Sequence, residues 1–285
     1  MTRLGDLRVE ATPVADAFER GESEPRPFTD APSGGAVKAR PAHWWSWRAA
    51  DRESIRERDL SLLREIEAEI ESVSPQFSQV TKSLRQFAGR YLSSETPHEA
   101  LLGIVSPRQG EGRTTIAVGL AGALAEVYGS VVLVEMETEQ VSPTLCTELN
   151  LGVTFGLRDY LEDRASLQEI LLATSKDNFF LLPAGPVLQQ FSRLDATART
   201  RELLATLKQL FEVVVVDLPP ALVSEETPAL LPDFDGFVLV ANAGSTTTDD
   251  VQRTIELCGP IPLRGVLLNQ VRLRAPRWLA SLLNH

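Results

Sequence analysis

The sequence is poor in the features that mark secreted, membrane-spanning or nucleic-acid-binding proteins. Only two cysteines occur, Cys146 and Cys258, and their spacing matches no metal site. No apolar run approaches the length of a membrane span, and residues 1–10 lack the apolar core of a signal peptide. The formal net charge of -11 opposes contact with nucleic acid or anionic lipid. We therefore predict a cytoplasmic protein with buried thiols and no nucleic-acid partner.

The first part of the chain also lacks the periodicity of a folded domain. Residues 1–50 are rich in proline, glycine, alanine and charge, which predicts a disordered N-terminal arm. Trp44, Trp45 and Trp47 stand beside Arg48 within it. This tryptophan cluster has two interpretations: it anchors the arm at a membrane interface or on a partner, or it folds back onto the domain.

Two helical patterns follow the arm. Within 51–98, apolar residues recur at three- and four-residue steps on either side of Pro75, which predicts a helical extension. Such helices either pack on the next domain or join subunits. At the other end, 275–285 is a predicted short tail, where Trp278 and leucines beside arginine are a candidate membrane foot, interrupted by Pro276.

Residues 99–274 alternate between short apolar runs and helical stretches. Runs such as V-V-L-V and V-V-V-V are apolar throughout, which is typical of strands covered on both faces. Alternation of strand and helix implies crossover connections between parallel strands. The sequence therefore predicts an α/β domain with a mostly parallel sheet flanked by helices.

A phosphate loop follows the first of these apolar runs. The segment S-P-R-Q-G-E-G-R-T-T at 106–115 lies between that run and a helical stretch, where backbone N–H groups can face a phosphate. We predict a P-loop site for ATP or ADP. Its predicted contacts are Gln109, Gly110, Glu111, Gly112, Arg113, Thr114 and Thr115. The match to the P-loop pattern is imperfect, because Pro107 stands at the first glycine and Arg113 at the lysine.

Acidic residues end two later strands. Glu135 and Glu137 come at the end of V-V-L-V, and Asp217 ends V-V-V-V. The carboxyl ends of neighbouring parallel strands face the crevice where such sheets bind ligands. Because Mg²⁺ prefers hard oxygen ligands, we predict that Thr114, Glu135 and Asp217 ligate it.

These motifs resemble the cytoplasmic tyrosine kinases of bacterial capsule and exopolysaccharide synthesis (CpsD/CapB-type), a branch of the MinD/ParA-like P-loop proteins. The resemblance covers roughly 77–271. In that family the loop reads like S-x-x-P-G-E-G-K-S-T and the second motif like I-D-A-D-L-R-x-P. Here V-E-M-E-T-E-Q-V stands for the second motif, whereas the third, D-x-P-P, is kept at 217–220. Softer matches are G-L-R-D-Y-L at 156–161, L-L-P-A-G-P at 181–186 and G-V-L-L-N at 265–269.

The resemblance places Arg113, Glu135, Glu137 and Asp217 at the catalytic positions of an ATP-dependent protein tyrosine kinase. Phosphoryl transfer depends on positioning and charge neutralisation. Arginine keeps the charge of lysine but is longer and planar, and glutamate displaces a carboxylate by one methylene. Since displacements of about 1 Å can cost roughly 100-fold in rate, we expect nucleotide binding with weakened catalysis, as in a pseudokinase.

The resemblance also implies contacts between subunits. Related kinases carry E-x-x-R-x-x-R in the helix before the first strand, where this chain has Gln79, Lys82 and Arg85. These residues are either a homo-oligomer contact, which we predict, or a solvated helix face. Some relatives use a basic residue at the position of Arg108 to reach a neighbour's nucleotide; an exposed loop arginine is the other interpretation. Residues 272–285 contain no tyrosine, so we do not expect self-phosphorylation of a tyrosine-rich tail as in that family.

Three functional hypotheses remain. The first is a catalytically weak, nucleotide-binding regulatory subunit, peripheral at the inner face of the membrane, whose partner is a membrane-embedded polysaccharide chain-length or export component. The second is an active tyrosine kinase that phosphorylates a partner. The third is a MinD-like membrane-associated positioning ATPase.

Overall fold

One sheet organises the molecule. The computed structural model describes residues 10–12, 82–89, 100–136, 145, 155–174, 176, 178–185 and 196–271. The strands are β1 (Glu10–Thr12), β2 (Ala100–Val105), β3 (Val131–Glu135), β4 (Leu172–Ala173), β5 (Phe179–Leu182), β6 (Val213–Asp217), β7 (Gly236–Asn242) and β8 (Leu263–Asn269). Their order across the sheet is β1-β8-β7-β2-β6-β3-β5-β4.

The sheet is parallel except at its two edges. Strands β8, β7, β2, β6, β3 and β5 run parallel, whereas β1 and β4 pair antiparallel with β8 and β5. Every residue of β2, β3 and β6 is buried, as expected of runs that are apolar throughout. The predicted mostly parallel α/β sheet is confirmed.

Helices cover both faces of this sheet. They are α1 (82–89), α2 (Arg113–Leu124), α3 (Leu157–Leu161), α4 (Leu167–Ile170), α5 (Ala196–Leu210), α6 (Glu226–Leu230), which continues into a 3-10 turn, and α7 (Thr248–Cys258). Alternate residues of β3 point to opposite faces, so that Leu133 joins an apolar cluster with α2 and Val132 joins one with α5. The core is therefore two apolar layers separated by the sheet.

The described part of the helical extension packs on this domain. Leu84 and Phe87 of α1 are buried. A Cβ built at Gly119 would lie 2.6 Å from Leu84, and one at Gly265 would lie 2.5 Å from Phe87, so both glycines make room for the helix. Of the two roles open to this extension, residues 82–89 have the packing role.

Three residues of the N-terminal arm form β1, which pairs with β8. The rest of that arm, including the tryptophan cluster, lies outside the described residues, as do Cys146 and the tail at 275–285. Cys258 is a buried free thiol. Within the described parts of the chain, every helix is too short or too polar to cross a membrane.

Candidate functional site

The phosphate loop connects β2 to α2, as the sequence predicts. Gly110 and Gly112 have φ of 82° and 83°, in the left-handed region that favours glycine. A Cβ at Gly112 would lie 2.1 Å from Nδ2 of Asn269, so a side chain has no room there. Gly112 is also the N-cap of α2, which directs unpaired backbone N–H groups and the positive end of its dipole at the loop. This geometry suits a bound phosphate.

The ends of β7 and β8 hold one side of the loop. The amide Nδ2 of Asn269 donates a 2.9 Å hydrogen bond to the backbone oxygen of Glu111. The buried Glu111 carboxylate accepts hydrogen bonds from the hydroxyl of Thr246 and the backbone N–H of Arg108. Burial raises the pKa of Glu111. These bonds fix the path of the loop backbone beside the two glycines.

Asp217, at the end of β6, holds the other side of the loop. Its Oδ1 accepts from Nε of Arg113 at 2.7 Å, and its Oδ2 accepts from the Thr114 hydroxyl at 2.6 Å. A terminal guanidinium nitrogen of Arg113 also donates to Oγ of Ser106 at 3.2 Å. The side chains of Arg113 and Asp217 are only 12% and 3% exposed, so this ion pair is largely shielded from water.

Glu135 lies opposite Asp217 on the adjacent strand β3 but has other partners. Its Oε1 accepts from the backbone N–H of Leu145 at 2.5 Å, and its Oε2 accepts from the backbone N–H of Ala184 at 2.9 Å. Burial is the main cause that raises the pKa of Glu135. Its described hydrogen bonds thus connect β3 to two other segments and not to the phosphate loop.

Arg108 has a partner within the chain. Its guanidinium donates to Oδ1 of Asp250 on α7 at 2.8 Å, although its side chain is 60% exposed. The bond to Arg108 is the main cause that lowers the pKa of Asp250. Arg108 is thus an exposed arginine in an ion pair on its own domain, and its reach to a neighbour's nucleotide stays a prediction.

The remaining predicted site residues are distributed between loop, surface and undescribed segments. Gln109 is exposed in the loop, and Thr115 is half-buried in the first turn of α2. Glu137 lies outside the described residues, so its catalytic role stays a prediction.

The predicted subunit contact is only partly described. Gln79 lies outside the described residues, and Lys82 is exposed on α1. Arg85 forms a 2.6 Å ion pair with Glu126 of its own domain. The role of these three side chains between subunits stays a prediction.

Sequence reasoning missed Ser106, Thr246 and Asn269 as parts of the site. Asn269 ends G-V-L-L-N, a match to the related kinases, which was an available signal. Thr246 begins a run of three threonines, and nothing in that pattern distinguishes the one that bonds to Glu111. Ser106 supports Arg113 from the strand end, a contact that depends on the arginine substitution itself.

The residues predicted to ligate Mg²⁺ do not fit that ion well. Both Asp217 oxygens accept hydrogen bonds from the loop, one of them from a permanently charged guanidinium. Both Glu135 oxygens accept from backbone N–H groups. Across the described residues, no three histidine, cysteine or acidic side chains come together as a metal site. Thr114 bonds to Asp217, whereas the described bonds of Glu135 go to other segments, and the predicted ligation of Mg²⁺ by these three residues stays a prediction.

Comparisons with known proteins agree with this fold. A profile of the family described as AAA domain matches residues 101–251. Tyrosine-protein kinase CpsD of Streptococcus agalactiae is 29% identical over 189 residues, which cover 65% of this chain and 79% of that protein. Tyrosine-protein kinase YwqD of Bacillus subtilis (strain 168) is 27% identical over 172 residues, covering 60% of this chain and 72% of YwqD.

Solved structures give the same result. The kinase domain of the Escherichia coli tyrosine kinase ETK matches with a TM-score of 0.59 at 20% identity, over 70% of this chain and 78% of that one. This likeness shows the fold alone. The predicted P-loop α/β fold and the resemblance to bacterial tyrosine kinases are both confirmed.

Proposed function

The chain belongs to the AAA domain family, and from that membership we propose that it binds ATP or ADP at its phosphate loop. We further propose that it is a catalytically weakened relative of the tyrosine kinases of capsule and exopolysaccharide synthesis, used as a regulatory subunit. The observation that supports nucleotide binding best is the loop itself, where two left-handed glycines precede the N-terminus of α2.

The contacts of Arg113 support weakened catalysis. A P-loop lysine acts as a compact, flexible charge on the β- and γ-phosphates. The Arg113 guanidinium is instead fixed by Asp217 and Ser106. A planar cation held in this way can bind phosphate without following the charge that develops during transfer. We therefore expect tight positioning of the ground state and slow chemistry.

Thermal unfolding with millimolar ADP or ATP tests nucleotide binding. We expect nucleotide to raise the melting temperature of the unmodified protein, because a ligand that binds only the folded state stabilises it. Gly112→Ala abolishes this shift, since its Cβ would lie 2.1 Å from Nδ2 of Asn269. Gly122→Ala is the matched control, because a Cβ there meets nothing within 4 Å. No shift in the unmodified protein contradicts the proposal.

Partner and location are proposed from the composition of the ends. The N-terminal arm has few core-forming residues and carries the tryptophan cluster, which suits a segment that orders on binding. We propose that it docks a cytoplasmic homo-oligomer on a membrane-embedded polysaccharide export or chain-length component. Replacing Trp44, Trp45 and Trp47 by serine, which keeps β1 on the sheet, should leave nucleotide binding intact and abolish co-purification with membranes. A full-length protein that stays soluble and partnerless in its native lysate contradicts docking.

The name of the relatives supports one other function, that of an active kinase acting on a partner protein. In that case the unmodified chain would place phosphate on tyrosines of a co-expressed export component. Phosphotyrosine on that component, absent with Gly112→Ala, would favour the active kinase over the regulatory subunit.

A further inference from the structure

A divalent cation in a P-loop site neutralises phosphate charge and bridges the loop hydroxyl to strand-end carboxylates. In this chain the hydroxyl and the nearest carboxylate bond directly to each other, from Thr114 Oγ1 to Asp217 Oδ2 at 2.6 Å. The second oxygen of Asp217 carries the Arg113 ion pair. Both groups that would share the cation are thus already bonded.

Arg113 itself supplies positive charge at this position. Its Nε lies 2.7 Å from Asp217, and Ser106 supports a terminal nitrogen. A guanidinium stays charged under all physiological conditions, is weakly hydrated and has five N–H donors, more than these two bonds use. It can therefore neutralise Asp217 and still donate to phosphate oxygens.

Glu135, the other carboxylate predicted to ligate the cation, is also already bonded. Glu135 is 3% exposed, and its carboxylate is bonded to backbone N–H groups of Leu145 and Ala184. A cation beside Thr114 would compete with two buried backbone donors for the Glu135 carboxylate, and either donor is costly to leave unpaired.

We propose that the Arg113 guanidinium takes the place of the divalent cation, so that this site binds nucleoside diphosphates without Mg²⁺. The inference rests on the proposed nucleotide binding and gives it a specific property. The arginine is then a nucleotide-binding residue that adapts the loop to hold nucleotide rather than to turn it over.

Calorimetric titration with ADP, in EDTA and in millimolar Mg²⁺, tests the inference on the full chain. We expect the unmodified protein to bind ADP with affinities that agree within about twofold in the two buffers. Arg113→Lys, which keeps the charge but loses the fork, should gain a Mg²⁺ dependence of about tenfold.

Arg201→Lys is the matched control. Arg201 also donates from Nε to an aspartate, Asp233, at 2.6 Å, but on the exposed surface of α5. This variant should behave like the unmodified protein in both buffers. A further measurement replaces Mg²⁺ by Mn²⁺, whose spectrum distinguishes free from bound ion. The ADP complex of the unmodified protein should not bind Mn²⁺, whereas the ADP complex of Arg113→Lys should bind it.

The outcomes separate the two proposals. ADP binding that is at least about tenfold tighter with Mg²⁺ in the unmodified protein overturns the cation replacement and leaves nucleotide binding standing. The absence of ADP binding in both buffers overturns the proposed function together with this inference. If Arg113→Lys fails to fold, the two titrations of the unmodified protein still decide the question.

Discussion

Asp217 and Glu135 occupy the same level of two adjacent strands, and both are buried carboxylates, yet they belong to different parts of the molecule. Asp217 accepts hydrogen bonds from side chains of the phosphate loop, at Arg113 and Thr114. Glu135 accepts from the backbone of Leu145 and Ala184.

The difference shows how two acids with similar sequence signals acquire separate roles. A carboxylate bonded to charged or hydroxyl side chains lies within reach of a ligand, because a guanidinium fixed by two bonds still has further N–H donors for a phosphate. A carboxylate bonded to backbone N–H groups is fixed by the fold, because those donors cannot leave without moving the chain. We therefore propose that Asp217 acts in the nucleotide site and that Glu135 stabilises the domain.

The largest expected effect comes from removing the partner of Asp217. Arg113→Ala leaves a carboxylate whose side chain is 3% exposed without its cation. Removing one partner of a buried ion pair typically lowers the free energy of unfolding by about 3–5 kcal/mol. Because Arg113 is partly exposed, we expect a loss at the lower end of that range. Urea unfolding measures the loss. A change below about 1 kcal/mol would show that the pair behaves as an exposed one.

Removing the other carboxylate should affect stability without affecting the ligand. Glu135→Ala leaves two buried backbone N–H groups unpaired, so we expect the free energy of unfolding to fall by about 2 kcal/mol. ADP affinity should stay within about twofold of the unmodified protein. Glu202→Ala, an exposed position on α5, is the control for carboxylate removal. A large loss of ADP affinity with Glu135→Ala would erase the distinction between the two acids.

Placing a lysine at position 113 should raise the rate of ATP turnover. Arg113→Lys restores the loop lysine of the related kinases and leaves the bonds of Glu135 unchanged. We expect ATP turnover to rise by about tenfold or more, because the lysine regains a flexible charge at the phosphates. Phosphate release assays measure it. Robust turnover in the unmodified protein would contradict weakened catalysis.

The smallest expected effect is on the pH dependence of stability. Burial raises the pKa of Glu135 above its ordinary value of 4.5, so the folded state holds that proton more tightly than the unfolded state. Stability contributed in this way is present below 4.5 and is lost as the pH rises from there through the raised pKa. Glu135→Gln removes this titration, so urea unfolding across that window should show a flatter profile. Part of the dependence of stability on pH should remain, because the pKa of Glu111 is also raised. An unchanged profile would contradict the assignment.

The fold was largely predictable from local patterns. Apolar runs such as V-V-V-V before Asp217 specify strands buried on both faces, and the loop with Gly112 specifies the strand-to-helix turn. The antiparallel pairing of β1 with β8 was not predictable, because three residues in a composition typical of disorder carry no strand signal.

The sequence predicted which residues lie at the site, but not which residues each of them bonds to. Position after a strand identifies Asp217 and Glu135 equally, since strand ends converge on one crevice. Which carboxylate meets the loop depends on tertiary contacts: Arg113 lies 104 residues from Asp217, and Ala184 lies 49 residues from Glu135. Similarly, the ion pair between Arg108 and Asp250 joins segments whose proximity no local pattern encodes.

The most direct test of the separation between Asp217 and Glu135 is ADP affinity in EDTA, measured by calorimetry for Asp217→Asn and Glu135→Gln side by side. Asp217→Asn removes a negative charge beside the phosphates and frees the charge of Arg113, so we predict binding that is about tenfold tighter. Glu135→Gln should stay within about twofold of the unmodified protein. Equal effects of the two substitutions, or a larger effect of Glu135→Gln, would contradict the account.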